Sequence, residues 1–99
     1  MDLYTFARTG DRVLLQEIDD GYNVNSVNEN GDSLLLLAAQ GGHVELVRGL
    51  IARGADLAHR NHRGVTPVIA AASRGHHDVV ESLVHAGAER HPELDPDPA

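Results

Sequence analysis

Seven histidines and a short run of carboxylates are the residues of this chain whose types best suit chemistry. His59 and His62 flank a turn-like segment, His76 and His77 are adjacent, and His43, His85 and His91 are scattered. Zinc needs three or four converging ligands, with a second set of partners to orient them. Adjacent histidines on a helix face different directions, so no metal site is expected. Glu17, Asp19 and Asp20 would need burial or a shaped cleft to acquire catalytic pKa values. They sit near a predicted helix end and read as a solvated face. Serines are sparse (Ser26, Ser33, Ser73 and Ser82) and lie in no nucleophile elbow. A phosphate loop that depends on lysine cannot form, because all eight basic residues are arginine. No catalytic residue and no cofactor is expected, and the chain is not read as an enzyme.

What these residues decorate is a repeat of 33 residues. Asn28-Glu29-Asn30-Gly31 opens one copy and Asn61-His62-Arg63-Gly64 opens the next. Ser33 aligns with Thr66, Ala38-Ala39 with Ala71-Ala72, Gly42-His43 with Gly75-His76, and Gly54-Ala55-Asp56 with Gly87-Ala88-Glu89. Apolar positions keep step: Leu35 with Val68, Leu46-Val47 with Val79-Val80, Leu50-Ile51 with Leu83-Val84. A fixed period of this size marks a stacked array rather than one globular core.

Each copy predicts two short helices. Ser33 and Thr66 are candidate N-caps, and Pro67 suits the first helical position, where a missing N–H costs nothing. Leu34 to Gln40 should form the first helix, with small Ala38-Ala39 where a second helix approaches. Val44, Val47, Leu50 and Ile51 recur at helical spacing, and Gly54 suits the left-handed position beyond them. A third, degenerate copy lies at the N-terminus: Ala7-Arg8-Thr9-Gly10-Asp11 matches Ala39 to His43, and Gly21-Tyr22-Asn23-Val24 matches Gly54 to Leu57. Its two glycines are one residue closer than in the other copies, so a residue is missing from its second helix or that helix's end.

Composition agrees with a small, thinly layered domain. Of 99 residues 41% are hydrophobic but only three are aromatic, so the core must be aliphatic. There is no cysteine, which suits a reducing compartment. No apolar run approaches the roughly 18 residues that span a bilayer, and the N-terminus shows no secretory signal. A cytoplasmic protein without membrane contact is expected.

These motifs resemble the ankyrin repeat, G-x-T-P-L-H-x-A-A-x-x-G-H followed by V-V-x-x-L-L-x-x-G-A-D. Gly64 to His76 follows it closely, whereas the copy from Gly31 has Ser33-Leu34 where Thr-Pro is usual. Both copies replace the pattern's histidine with an aliphatic residue, Leu36 or Ile69, and place Asn28 or Asn61 where Asp is usual. The resemblance covers roughly residues 2 to 91. It implies an all-α ankyrin-repeat solenoid of stacked helix-turn-helix units linked by β-turn fingers. The domain is expected over 1–91, with a degenerate unit at about 1–27 and full units at about 28–60 and 61–91. Residues 92–99, acidic and rich in proline, are expected as a solvated tail.

The resemblance also implies function: such arrays bind partner proteins through a concave face of fingers and inner helices. The matching variable positions are Arg8 and Thr9 in the first unit, then Val27, Glu29, Asn30, Asp32, Gln40 and Gly41, then Arg60, His62, Arg63, Val65, Ser73 and Arg74. Charge is uneven along the chain. Residues 1–32 carry seven acids and two arginines (−5), 33–76 two acids and five arginines (+3), and 77–99 six acids and one arginine (−5). Arg60, Arg63 and Arg74 therefore read either as an anchor for an acidic patch on a partner or as solubilising charge. Nucleic acid is not an expected partner, because the net charge is −7 and the aromatics lie away from the arginines. The expected role is a non-enzymatic binding module, of the kind that serves as a stoichiometric inhibitor or immunity protein. The alternative is an assembly adaptor or homo-oligomer that joins through an uncovered C-terminal unit, where Ile69 would face a following repeat and where a partner or the tail, folded back through Leu94, is expected as cover before a second copy. A monomer is favoured over a homodimer.

Overall fold

The structure, a computed structural model, describes residues 2–87. The expected tail at 92–99, His91 and the end of the third unit lie outside the described residues. Among the described residues six helices follow in pairs: α1 (Leu3–Thr9), α2 (Val13–Asp19), α3 (Leu34–Gln40), α4 (Val44–Ala52), α5 (Pro67–Ser73) and α6 (His77–His85). The inner helices α1, α3 and α5 pack in one row, and the outer helices α2, α4 and α6 in a second row behind them. The all-α solenoid expected from the repeat is the fold observed.

Local chemistry sets where the inner helices begin. Asp2, Ser33 and Thr66 each hold an extended backbone, and their side-chain oxygens accept from Thr5 N (2.8 Å), Leu36 N (3.1 Å) and Ile69 N (3.3 Å). Each thereby satisfies a donor that a helix start leaves unpaired. Pro67 occupies the first turn of α5. Every residue from Leu34 to Ala39 is buried, which makes α3 the centre of the core.

Histidines bolt one unit to the next. His43 Nε2 donates to the carbonyl of Arg8 (2.7 Å), and His76 Nε2 donates to that of Gln40 (3.0 Å). A carbonyl only accepts, so these bonds fix the proton on Nε2. Each ring lies over a glycine of the preceding unit. Gly10 and Gly42 have φ near +76° and +75°, and a Cβ on either would stand 2.5 or 2.7 Å from the imidazole. Glycine is thus required twice over, for backbone conformation and for space.

The first unit departs where its sequence is short. Its outer helix α2 has seven residues, against nine in α4 and α6. Asp11 stands at the bolting position, and its carboxylate turns to its own helix, accepting from Val13 N at 3.0 Å. Asp19, which is exposed, meets Arg53 in a two-pronged pair (2.8 and 3.0 Å) that joins the first unit to the second. That hydrogen bond from Arg53 holds the Asp19 carboxyl below the usual carboxylate range. Between them, Leu15 sits so close to Gly49 that a Cβ there would be 2.5 Å from its Cδ1.

Candidate functional site

The fingers are built by two asparagines doing the same work. Asn28 Oδ1 accepts from Asn30 N (3.0 Å) and Asp32 N (2.9 Å), and Asn61 Oδ1 accepts from Arg63 N and Val65 N (both 2.9 Å). Backbone bonds Gly31 N to Asn28 O and Gly64 N to Asn61 O close the two tips (both 2.9 Å). The first finger is anchored at its base by Tyr4, whose hydroxyl donates to Val27 O at 2.7 Å, and burial raises the pKa of that phenol.

The second finger lies along the first. His62 N donates to Asn30 O (3.1 Å), His59 Nε2 to Gly31 O (2.7 Å), and the Asn61 side-chain amide to Asp32 Oδ1 (2.9 Å). An aspartate at position 61 would hold its own turn equally well but would offer no donor to Asp32. Asparagine therefore serves both the turn and the contact between fingers.

A groove of about 500 Å³ opens between these fingers and the inner helices. Of the residues singled out from the sequence, Asn30, Asp32, Gln40, His62, Arg63, Val65, Ser73 and Arg74 border it. The others do not. Arg8 and Thr9 are exposed on the last turn of α1, Val27 and Glu29 are exposed on the first finger, Gly41 caps α3 against the His43 ring, and Arg60 bends back to donate to Gly64 O at 3.2 Å. The arginine trio expected at the second finger thus reduces at the groove to Arg63 and Arg74.

Sequence reasoning missed the groove's apolar residues. Leu36, Ile69 and Ala70 line it, with Leu36 2% exposed and Ile69 half-buried. Ile69, expected to face a following unit, borders this groove with its counterpart Leu36. The signal was visible in the sequence, since both positions carry an aliphatic residue where the repeat pattern has histidine.

Among the described residues only two ion pairs occur, Arg53–Asp19 and the largely exposed Arg48–Glu45 at 3.8 Å. Arg63 and Arg74 belong to neither. The groove thus offers two guanidiniums beside an apolar floor, with Asp32 engaged by Asn61. No three His, Asp or Glu side chains among the described residues are placed to hold a metal ion. No helix among them is long and apolar enough to cross a membrane.

A family model described as "Ankyrin repeats (3 copies)" matches residues 3–92. The chain is 47% identical over 51 residues to Ankyrin repeat and KH domain-containing protein mask of Drosophila melanogaster, covering 50% of this chain and 1% of that protein. It is 42% identical over 66 residues to Inactive serine/threonine-protein kinase TEX14 of Mus musculus, covering 66% of this chain and 5% of that protein. An ankyrin repeat-containing protein of Schizosaccharomyces pombe is 36% identical over 55 residues, or 56% of this chain and 27% of that protein. The chain therefore spans between 1% and 27% of the length of these relatives.

Proposed function

Because this chain belongs to the ankyrin-repeat family, whose stacked units are non-enzymatic protein-interaction modules, we propose that it binds an acidic segment of a partner protein in the groove between its second and third units. The observation that carries this reading is the pairing of Arg63 and Arg74 with the half-buried apolar side chains of Val65 and Ile69. Guanidinium groups favour carboxylates at interfaces, and an apolar floor beside them excludes the water that would weaken such pairs. The mechanism is steric and electrostatic: an acidic site on the partner is masked or held, as a stoichiometric inhibitor does. A cytoplasmic setting fits the lack of cysteine.

Amide shifts of the labelled protein on titration with a hexaglutamate peptide test the reading. Shifts should centre on Asn61, Arg63, Ser73 and Arg74, and Arg63→Ala with Arg74→Ala should abolish them while the melting temperature holds. Shifts confined to the outer helices, or unchanged by the double substitution, would sink the proposal.

One observation favours a second reading, assembly through the third unit. Ile69, Ala72 and Val80 are half-buried where their counterparts Leu36, Ala39 and Val47 are buried. A second copy seated there would make a dimer. Light scattering behind size exclusion separates the readings, since a monomer at high concentration eliminates self-association.

A further inference from the structure

Residues 88–99 carry Glu89, Glu93, Asp95 and Asp97 against the single basic residue Arg90. We infer that this acidic segment is an intramolecular ligand of the groove, its carboxylates competing with an outside partner for Arg63 and Arg74. The inference rests on the groove reading above and adds regulation to it.

Charge is the first argument. Arg63 and Arg74 pair with no carboxylate among the described residues, while the segment brings four acids on one stretch of chain. Reach is the second. Gly87 lies by the base of the second finger, where a Cβ on it would be 4.0 Å from Leu57 Cδ1. Twelve extended residues span roughly 40 Å, which exceeds both shorter dimensions of the molecule, 24 and 20 Å. Composition is the third. Pro92, Pro96 and Pro98 fix φ and so reduce the conformational freedom lost on docking. Leu94, flanked by Glu93 and Asp95, offers one apolar side chain to the half-buried Val65 and Ile69 of the groove.

A hollow of about 360 Å³ on the outer face, between α4 and α6, also lies close to Gly87. It suits an acidic segment poorly. Glu81 lines it, and Arg48 there already donates to Ser82 Oγ (3.3 Å) and approaches Glu45 (3.8 Å).

The absence of cysteine makes the test clean, because Ala99→Cys supplies a single site for a nitroxide on the full chain. Amide signals of Asn61, Arg63, Ser73 and Arg74 should broaden selectively. The effect should vanish in about 1 M sodium chloride, where the screening length falls to about 3 Å. It should vanish also when Glu89→Gln, Glu93→Gln, Asp95→Asn and Asp97→Asn are combined. That neutralised chain should bind hexaglutamate about three- to tenfold more tightly than the unsubstituted one, the scale set by a few exposed ion pairs. Broadening centred on Arg48 and His85, or spread evenly, overturns the inference. Equal hexaglutamate affinity in both chains overturns it while leaving the groove reading intact. If hexaglutamate moves no groove amide even in the neutralised chain, both fall.

Discussion

The middle unit and the two flanking units are built from one pattern, yet they differ sharply in what they bury. In α3 every residue from Leu34 to Ala39 is buried, and in α4 so are Leu46, Val47 and Leu50. The first unit buries only Ala7 in α1 and Leu14 in α2. The third buries Pro67, Val68, Ala70 and Ala71 in α5 but only Val79 and Leu83 in α6. Burial in a stack is thus conferred by neighbours as much as by a unit's own residues. The same side chain is core when covered on both sides and border when covered on one.

The sharpest way to break this comparison uses the paired positions 36 and 69. Leu36→Ala should cost about 2–5 kcal/mol, the range for deleting a buried aliphatic side chain. Ile69→Ala should cost about 1 kcal/mol, since half-burial gains only part of the 1.5–3 kcal/mol of full burial. Urea denaturation midpoints measure both, and equal losses would contradict the account of neighbours.

Gly42 and Gly75 sharpen it next, because they share φ of +75° but only Gly42 lies beneath a histidine ring. Alanine should destabilise at both sites, and by about 1–3 kcal/mol more at Gly42, where it overpacks against His76. Asn61→Asp should preserve the second finger's turn but set a carboxylate against Asp32, a loss of about 1–2 kcal/mol. Amide exchange should quicken at His62 if that contact between fingers opens.

The smallest effect concerns acid. Asp19 has a folded pKa below its unfolded value of 3.8 because Arg53 donates to it. Its contribution is therefore fully present above that value and disappears as pH falls through the lower folded one. Asp19→Asn should remove this part of the acid sensitivity, leaving a flatter profile of denaturation midpoint between about pH 5 and pH 2. Asp2, likewise lowered by the backbone bond from Thr5, remains in the variant, so a residual slope is expected.

Much of this organisation was legible in the residues. The helix starts at Ser33 and Thr66-Pro67 follow from capping chemistry, and the resemblance to the ankyrin repeat implied eight of the residues that border the groove, Asn30, Asp32, Gln40, His62, Arg63, Val65, Ser73 and Arg74. Three features were not legible, each for a physical reason. The Asp19–Arg53 pair depends on how the shortened α2 ends, which the repeat period does not encode. Arg60 sits on a turn, where the side chain's direction is set by whichever carbonyl it meets, here that of Gly64. Gly49 lies inside a helix, where glycine ordinarily weakens structure. Only the approach of Leu15 from the preceding unit explains it.

The histidine bolts point one way, each reaching back to the unit before it. Their joints are consequently interchangeable parts. A whole 33-residue cassette spliced in after position 60 would arrive with its own imidazole for the old unit and its own glycine for the next, leaving every joint complete. A cut made within a cassette would strand one half of a joint, so lengthening this molecule by engineering should succeed in whole periods and fail in fractions of one.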